Sequence, residues 1–559
     1  MTLYDKTLGR VTGWFDRLTE RLSNGYQKLL AWALVHKIKT VVAAMASFAL
    51  AIALLGAVGK EFVPKADFSE TQINFYTPVG SSLEVTEMRA KQIDELLRGL
   101  PEVRHTVTTI NSGFTQGKIY GSVYVRLVDR KERSRSVAEL APPMRALMDR
   151  VPGITVTNIG AVDLGGGKSI VFSIQGPDLG ELERLSRQVL PRLAQVPGLV
   201  DLDSSLKPDK PTIAVDVKRE AAADLGLNVS TLANTLRTLV AGVSVGNWRA
   251  ADGENYDVRL RLAPDSRNAM GDLQNLPLVI GSNADGTARV VRLNQVADVR
   301  AGTGPNQINR RDMTREVNID ANPLGRSAGE VTTDIRAVLD GIAWPPGYRY
   351  SFSGSTKNMQ ESFSYAVGAL ALAIVFIYMI LASQFKSFLQ PLALMSSLPL
   401  TLIGVVLALL AFRSTLNMFS IIGIVMLMGL VTKNAILLVD FAIRARAAGM
   451  DRTAALLEAA RVRLRPILMT TLAMVFGMVP LAFALTEGSE QRAPMGQAVM
   501  GGVITSSLLT LVVVPVVYCW LDDLSVWARR GFRRAPLAVR AASVPVQVQV
   551  PAIDDPTAT

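Results

Sequence analysis

Lys433 is the residue with the most to explain. It sits inside the apolar run MFSIIGIVMLMGLVTKNAILLVDFAI, residues 418–443. An ionised lysine in hydrocarbon is costly unless paired, and such residues mark ion or substrate pathways. Snorkelling to the membrane surface is the alternative. The run continues ten residues beyond Lys433, however, which is ~15 Å at the helical rise and farther than one side chain reaches. The ammonium therefore needs an anion. Asp440 is seven residues on, ~10 Å along a helix, too far for a tight pair and better placed to reach the membrane surface. No other apolar stretch of the chain holds Asp or Glu. The expected partner is a carboxylate from another polypeptide, and the chain is expected to be incomplete as a working unit.

The next apolar stretch opens with RVRLRPILMTT, residues 461–471. Arg463 and Arg465 mark its cytoplasmic mouth, and Pro466 suits a first helical turn. Thr470 and Thr471 offer hydroxyls to Lys433 if the two stretches pack together, although membrane-helix threonines usually bond their own i−4 carbonyl. Other motifs carry less. Gly165-Gly166-Gly167-Lys168-Ser169 imitates a phosphate loop, but Val162 stands where its first glycine belongs and a strand pattern follows, so no helix N-terminus faces a phosphate. Cys519 is the only cysteine, and His36 and His105 are far apart, which leaves no disulfide framework or metal cluster. The membrane methionines Met426, Met428, Met469, Met474 and Met478 read as core fillers. With no nucleophile–base pair the chain is not expected to be an enzyme, and no cofactor is expected.

Of the 559 residues 49% are hydrophobic and 19% charged, a balance that points to a membrane protein. Six stretches are long enough to cross a bilayer: 40–58, 365–383, 388–412, 418–443, 466–486 and 496–519. The net charge of +11 is distributed by topology. Lys and Arg crowd residues 6–39, residues 444–465 and residues 529–540, and Lys386 lies between the second and third stretches. Six spans with a cytoplasmic N-terminus put all of these on one side, as the positive-inside rule requires, and nucleic-acid binding is not expected. Residues 1–39 read as an amphipathic helix along that face, with Trp14, Phe15, Leu18 and Leu22 at helical spacing.

Residues 60–360 lie between the first two spans and need cores of their own. Residues 60–158 read as strand 71–77, helix 82–99, strands 102–110 and 119–127, helix 136–150 and strand 154–159, the ferredoxin-like β-α-β-β-α-β order. A second copy, 159–209 and 308–360, is split by residues 210–307, which are rich in short strands. The expected fold is an α-helical membrane bundle of six spans with a large α+β extracytoplasmic domain of two ferredoxin-like subdomains and an insertion. The tail 535–559, rich in Pro, Val and Ala, reads as disordered.

Several of these segments resemble resistance-nodulation-division efflux permeases. The most specific are GLVTKNAILLVDFA (429–442), RVRLRPILMTT (461–471) and VMGGVITSSLLTLVVVPVVY (499–518). GKEFVPKAD (59–67) and GSTKNMQESF (354–363) resemble the borders of that family's periplasmic domain. The resemblance covers the C-terminal half of the family, spans seven to twelve, and excludes the fourth span with its proton-binding aspartate pair. It implies that Lys433 pairs with those aspartates, that Thr470 and Arg463 belong to the same relay, and that Asn434 adjoins it. It implies two porter subdomains and a docking subdomain, with Gly113, Phe114 and Gly117 in a loop between substrate pockets, shorter here than is typical. The implied protein is a proton-driven exporter of drugs or amphiphiles in the bacterial inner membrane. Its implied partners are an N-terminal half permease chain, a homotrimer or pseudo-trimer, a periplasmic adaptor, an outer-membrane channel and the lipid bilayer. A transport-incompetent remnant, a six-span secretion-accessory module and a heavy-metal pump are the rival expectations.

Overall fold

The computed structural model describes residues 3–111, 117–160, 167–267, 269–282 and 285–532. Helix α1 (Leu3–Val35) ends at His36, whose ring stacks on Trp32, and α2 (Lys37–Leu55) follows. The inner face of α1 is packed rather than solvated. Leu30 and Ala33 are fully buried, and the Tyr26 hydroxyl donates to the Leu511 carbonyl at 2.8 Å. The side chains of Trp14, Phe15 and Leu18 lie outside the described residues.

The first α/β unit comprises β1 (Glu70–Tyr76), α3 (Leu83–Arg98), β2 (Val103–Ile110), β3 (Tyr120–Leu127), α4 (Val137–Met148) and β4 (Thr155–Gly160). Ser82 caps α3, and a Ser136–Glu139 capping box starts α4, each satisfying backbone N–H groups that a helix start leaves free. The strands form an antiparallel sheet in the order β2-β3-β1-β4. Alternate residues of β1 and β3, among them Ile73, Phe75, Val123 and Val125, bury against Ile93, Leu97, Leu140 and Met144 of the helices.

The second unit begins with β5 (Ile170–Gly176), α5 (Leu179–Leu193) and β6 (Leu199–Ser204). An insertion follows. It contains β7 (Lys210–Val217), α6 (Arg219–Asp224), α7 (Val229–Leu236), β8 (Val243–Arg249), β9 (Asn255–Leu260), α8 (Met270–Gln274), β10 (Pro277–Ser282), β11 (Ala288–Arg292), α9 (Leu293–Val296) and β12 (Ala297–Gly304). Pairing of β7 with β12 closes it, and Leu232, Leu273, Leu278 and Val296 give it a separate core. The unit then resumes with β13 (Asn309–Arg311), β14 (Thr314–Pro323), α10 (Ala328–Asp340) and β15 (Arg349–Ser353). Both β6 and β13 pair with β14, which pairs with β5, which pairs with β15. The strand order repeats that of the first unit, with the insertion between its second and third strands. Lys168, from the glycine-rich stretch, is a structural lysine of this unit. Its ammonium donates to the Asp201 carbonyl at 2.6 Å and lies 3.2 Å from the Asp320 carboxylate.

The remaining helices are α11 (Gly354–Phe385), α12 (Gln390–Met395), α13 (Ser397–Ala411), α14 (Met418–Ala447), α15 (Arg452–Ala482) and α16 (Ala493–Phe532). Among the described residues six helices are long and apolar enough to cross a membrane, α12 and α13 together counting as one. Helices α11, α14, α15 and α16 extend past the apolar stretches. Helix α11 starts directly after β15, and α15 starts at Arg452, capped by Asp451. Pro466 therefore lies inside α15 and not in its first turn, because the charged residues 452–465 are helical too.

Helix α16 is the centre of the bundle, packed by α13, α14, α15 and α2. Glycines allow the close approach: a side-chain carbon on Gly501 would collide with the Gly404 carbonyl and Ala408, and one on Gly502 with Leu427. The link from α2 to the α/β segment is bonded on both sides. The Glu61 N–H donates to the Leu416 carbonyl, the Leu416 N–H to the Gly59 carbonyl, and the Met418 N–H to the Phe62 carbonyl, all at the head of α14. On its other side the Gly329 N–H, in the first turn of α10, donates to the Lys60 carbonyl at 2.8 Å. Residues 59–62 thus form a strap between α14 and the second α/β unit.

Candidate functional site

Asn417 starts α14 through a reciprocal cap with Ser420 (3.0 and 2.8 Å) and is fully buried. From that fixed end the helix exposes Met418, Ile422, Met426, Gly429 and Lys433, one residue per turn along a single stripe. The opposite side buries Gly423, Leu427, Val431, Ala435 and Leu438. Lys433 is the sixteenth residue of a 30-residue helix, ~22 Å from either end. It is exposed on the surface of the six-helix bundle, and among the described residues it makes no hydrogen bond or ion pair. Asp440 does not serve it, because its carboxylate pairs with Arg444 one turn on.

Asn434 follows Lys433 but points elsewhere, since successive helical side chains are ~100° apart. It is buried at 3% exposure, and its Nδ2 donates to Ser507 Oγ of α16 at 3.1 Å. The same Ser507 hydroxyl lies 3.1 Å from Thr471 Oγ1 of α15. Three helices thus meet at one buried polar contact. Asn434 Oδ1 has no partner among the described residues.

The other predicted residues are less closely gathered. Helix α15 does pack against α14, but Thr470 is half-buried and donates to its own Ile467 carbonyl at 3.1 Å rather than to Lys433. Arg463 lies toward the far end of the pair, its guanidinium 5.3 Å from the Phe441 ring centre and its Nε buried without a partner among the described residues. Gly113 and Phe114 lie outside the described residues. The Gly117 N–H donates to Asn111 Oδ1 at 2.7 Å, with a φ of +155° that disfavours a side chain.

Two features escaped the sequence reading. Ser507 gave no signal in a helix already rich in Ser, Thr and Gly. Asp522 and Asp523, just past the last apolar stretch, clamp the bundle end opposite the strap. Arg452 reaches both (3.1 and 2.6 Å), Arg446 reaches Asp522 (3.3 Å) and Lys37 reaches Asp523 (2.9 Å), which ties α2, α14 and α15 to α16. The available clue was an acidic pair at the end of one span, with Lys37, Arg446 and Arg452 at the ends of three others.

A family model described as the AcrB/AcrD/AcrF family matches residues 4–522. The multidrug resistance protein MdtC of Serratia proteamaculans (strain 568) is 30% identical over 539 residues, covering 94% of this chain and 51% of that protein. The MdtC protein of Yersinia pestis bv. Antiqua (strain Angola) is 29% identical over 537 residues, with the same coverages. The chain spans about half the length of the curated relatives it matches. Among solved structures, a heavy metal efflux pump superposes with a TM-score of 0.78 at 26% identity, over 90% of this chain and 53% of that one.

Proposed function

Because this chain belongs to the AcrB/AcrD/AcrF family, within the resistance-nodulation-division efflux pumps, we propose that it is the C-terminal half of a proton-driven exporter of drugs or amphiphilic compounds. The observation that carries this reading is Lys433, a cation at the middle of an apolar helix, turned outward and unpartnered among the described residues. In hydrocarbon that surface must be covered by something that brings negative charge. Six further spans supply it, as a preceding stretch of the same polypeptide or as a separate chain, and their aspartate pair takes and releases the proton.

In this reading the ionised carboxylates hold Lys433, and protonation releases it. Helix α14 then shifts, and the strap at residues 59–62 passes the shift to α10. Thr470 and Arg463 serve the same relay, and Asn434 anchors the helix beside it. Residues 60–158 act as one porter subdomain, 159–209 with 308–360 as the second, and 210–307 as the docking subdomain. All three face the periplasm, with Gly113, Phe114 and Gly117 in a loop over the substrate path. The working assembly is a trimer in the inner membrane that joins a periplasmic adaptor and an outer-membrane channel. Match to curated permeases over 94% of the chain disfavours a secretion-accessory module.

A second reading, metal cargo, is favoured by the structural likeness to a heavy metal efflux pump. Both are tested in a pump-deficient bacterial host expressing residues 1–559 alone and with a six-span segment carrying the aspartate pair. Drug resistance only with the segment supports the proposal. Metal resistance without drug resistance transfers it to metal cargo. Export by residues 1–559 alone contradicts the need for outside carboxylates.

A further inference from the structure

Ser507 belongs to α16, a helix that carries none of the relay residues named above. It is 4% exposed, and its hydroxyl lies 3.1 Å from both Asn434 Nδ2 and Thr471 Oγ1. Those two residues are the immediate neighbours of Lys433 and Thr470. Successive side chains on a helix are separated by a fixed ~100°, so fixing the direction of Asn434 also fixes that of Lys433, and fixing Thr471 does the same for Thr470. A hydroxyl has one proton and two lone pairs. It accepts from Asn434 while sharing a proton with Thr471, so one atom serves both helices.

Little else at this level of the bundle is directional. The nearby contacts are apolar or glycine-mediated, such as Gly502 against Leu427, and apolar contact tolerates rotation where a hydrogen bond does not. Asn434 is held by this one bond, since its Oδ1 has no partner among the described residues. Removing the Ser507 hydroxyl leaves the whole buried carboxamide unpaired.

We propose that Ser507 is a positioning residue: its hydroxyl sets the rotation of α14 and α15 against α16, and so aims Lys433 and Thr470 at the same carboxylates. This inference rests on the relay reading above. Charged groups that blur the readout lie toward the helix ends. In the helices packed against α14 they are Lys357 and Glu361, paired with each other at the start of α11, and Arg452, Glu458, Arg461, Arg463 and Arg465 in the first half of α15, while α12 and α13 carry none and α16 has none before Asp522. On α14 itself Asp440 is paired with Arg444.

The test compares Ser507→Ala, Ser507→Val and Ser507→Thr in the transporter completed by its other spans, at equal amounts of folded protein. Efflux is read across pH, beside Lys433→Ala. Loss of the hydroxyl in the Ala and Val variants is expected to slow efflux about tenfold. It is also expected to move the pH profile upward by about one unit, because a carboxylate that loses its cation binds its proton more tightly. Ser507→Thr keeps the hydroxyl and is expected to restore both rate and profile. Unchanged rate and profile in Ser507→Ala would overturn the inference, as would a Thr variant no better than the equally shaped Val. If Lys433→Ala exports normally the relay reading falls and takes this inference with it. If Lys433→Ala is inactive beside a fully active Ser507→Ala, only the role of Ser507 is lost.

Discussion

Lys433→Ala is expected to lower export roughly hundredfold, since removing one member of a buried ion pair costs about 3 kcal/mol and each 1.4 kcal/mol is a factor of ten. The same substitution is expected to leave the fold of this chain alone. Lys433 is exposed on the bundle and makes no bond to the described residues, and substitutions of that kind stay within about 0.5 kcal/mol. The two halves of the expectation are checked by transport and by thermal melting of the purified chain in detergent. An inactive variant that melts normally locates the defect in pairing with outside groups. A variant that melts early would mean that Lys433 supports the bundle itself.

The second large effect lies far from the membrane helices. Asp67 and Arg133 form an ion pair whose side chains are 9% and 1% exposed. The Asp67 carboxylate also accepts from the N–H groups of Ser69 and Val137, both at 3.0 Å, and so joins the start of β1 to the start of α4. Burial pushes this carboxyl up, but the Arg133 guanidinium and the two N–H groups outweigh it and hold the group below the usual carboxylate range. Asp67→Asn keeps the shape and strands Arg133. It is expected to lower the hydrogen-exchange protection of β1 and α4 by about 3 kcal/mol at neutral pH. The sign with pH follows from the depressed value. The contribution of Asp67 is complete above its unfolded pKa of about 3.9 and is lost as pH falls through the lower folded value. The gap between wild type and variant should therefore close in strong acid. A gap that widens there, or none at neutral pH, contradicts the assignment.

How much of this was legible in the sequence depends on which force wrote it. Hydropathy located the six apolar helices and put Lys433 in the middle of one, because crossing hydrocarbon imposes length and composition together. Period-two alternation over 71–77 and 119–127 located β1 and β3, since each strand has one face on the core. Hydropathy was blind to helix that continues in water. It missed the first turns of α11 and the charged first half of α15, and misplaced Pro466 as a result. Side-chain direction was hidden as well. Thr470 and Thr471 look alike in sequence, yet one bonds its own helix and the other bonds Ser507. The strap at 59–62 works through backbone groups, which every sequence supplies equally.

The partner of Lys433 is expected to be a carboxylate outside these 559 residues. A hydrophobic carbodiimide applied to membranes holding the completed transporter activates a buried carboxyl group and lets a neighbouring amine capture it as an amide. Mass spectrometry then reads the pair. The expected product joins Lys433 Nζ to an aspartate of the additional spans and is absent from Lys433→Ala. An amide from Lys433 to Asp440, or to any other carboxylate within residues 1–559, would mean that the lysine finds its partner inside this chain and needs none from outside.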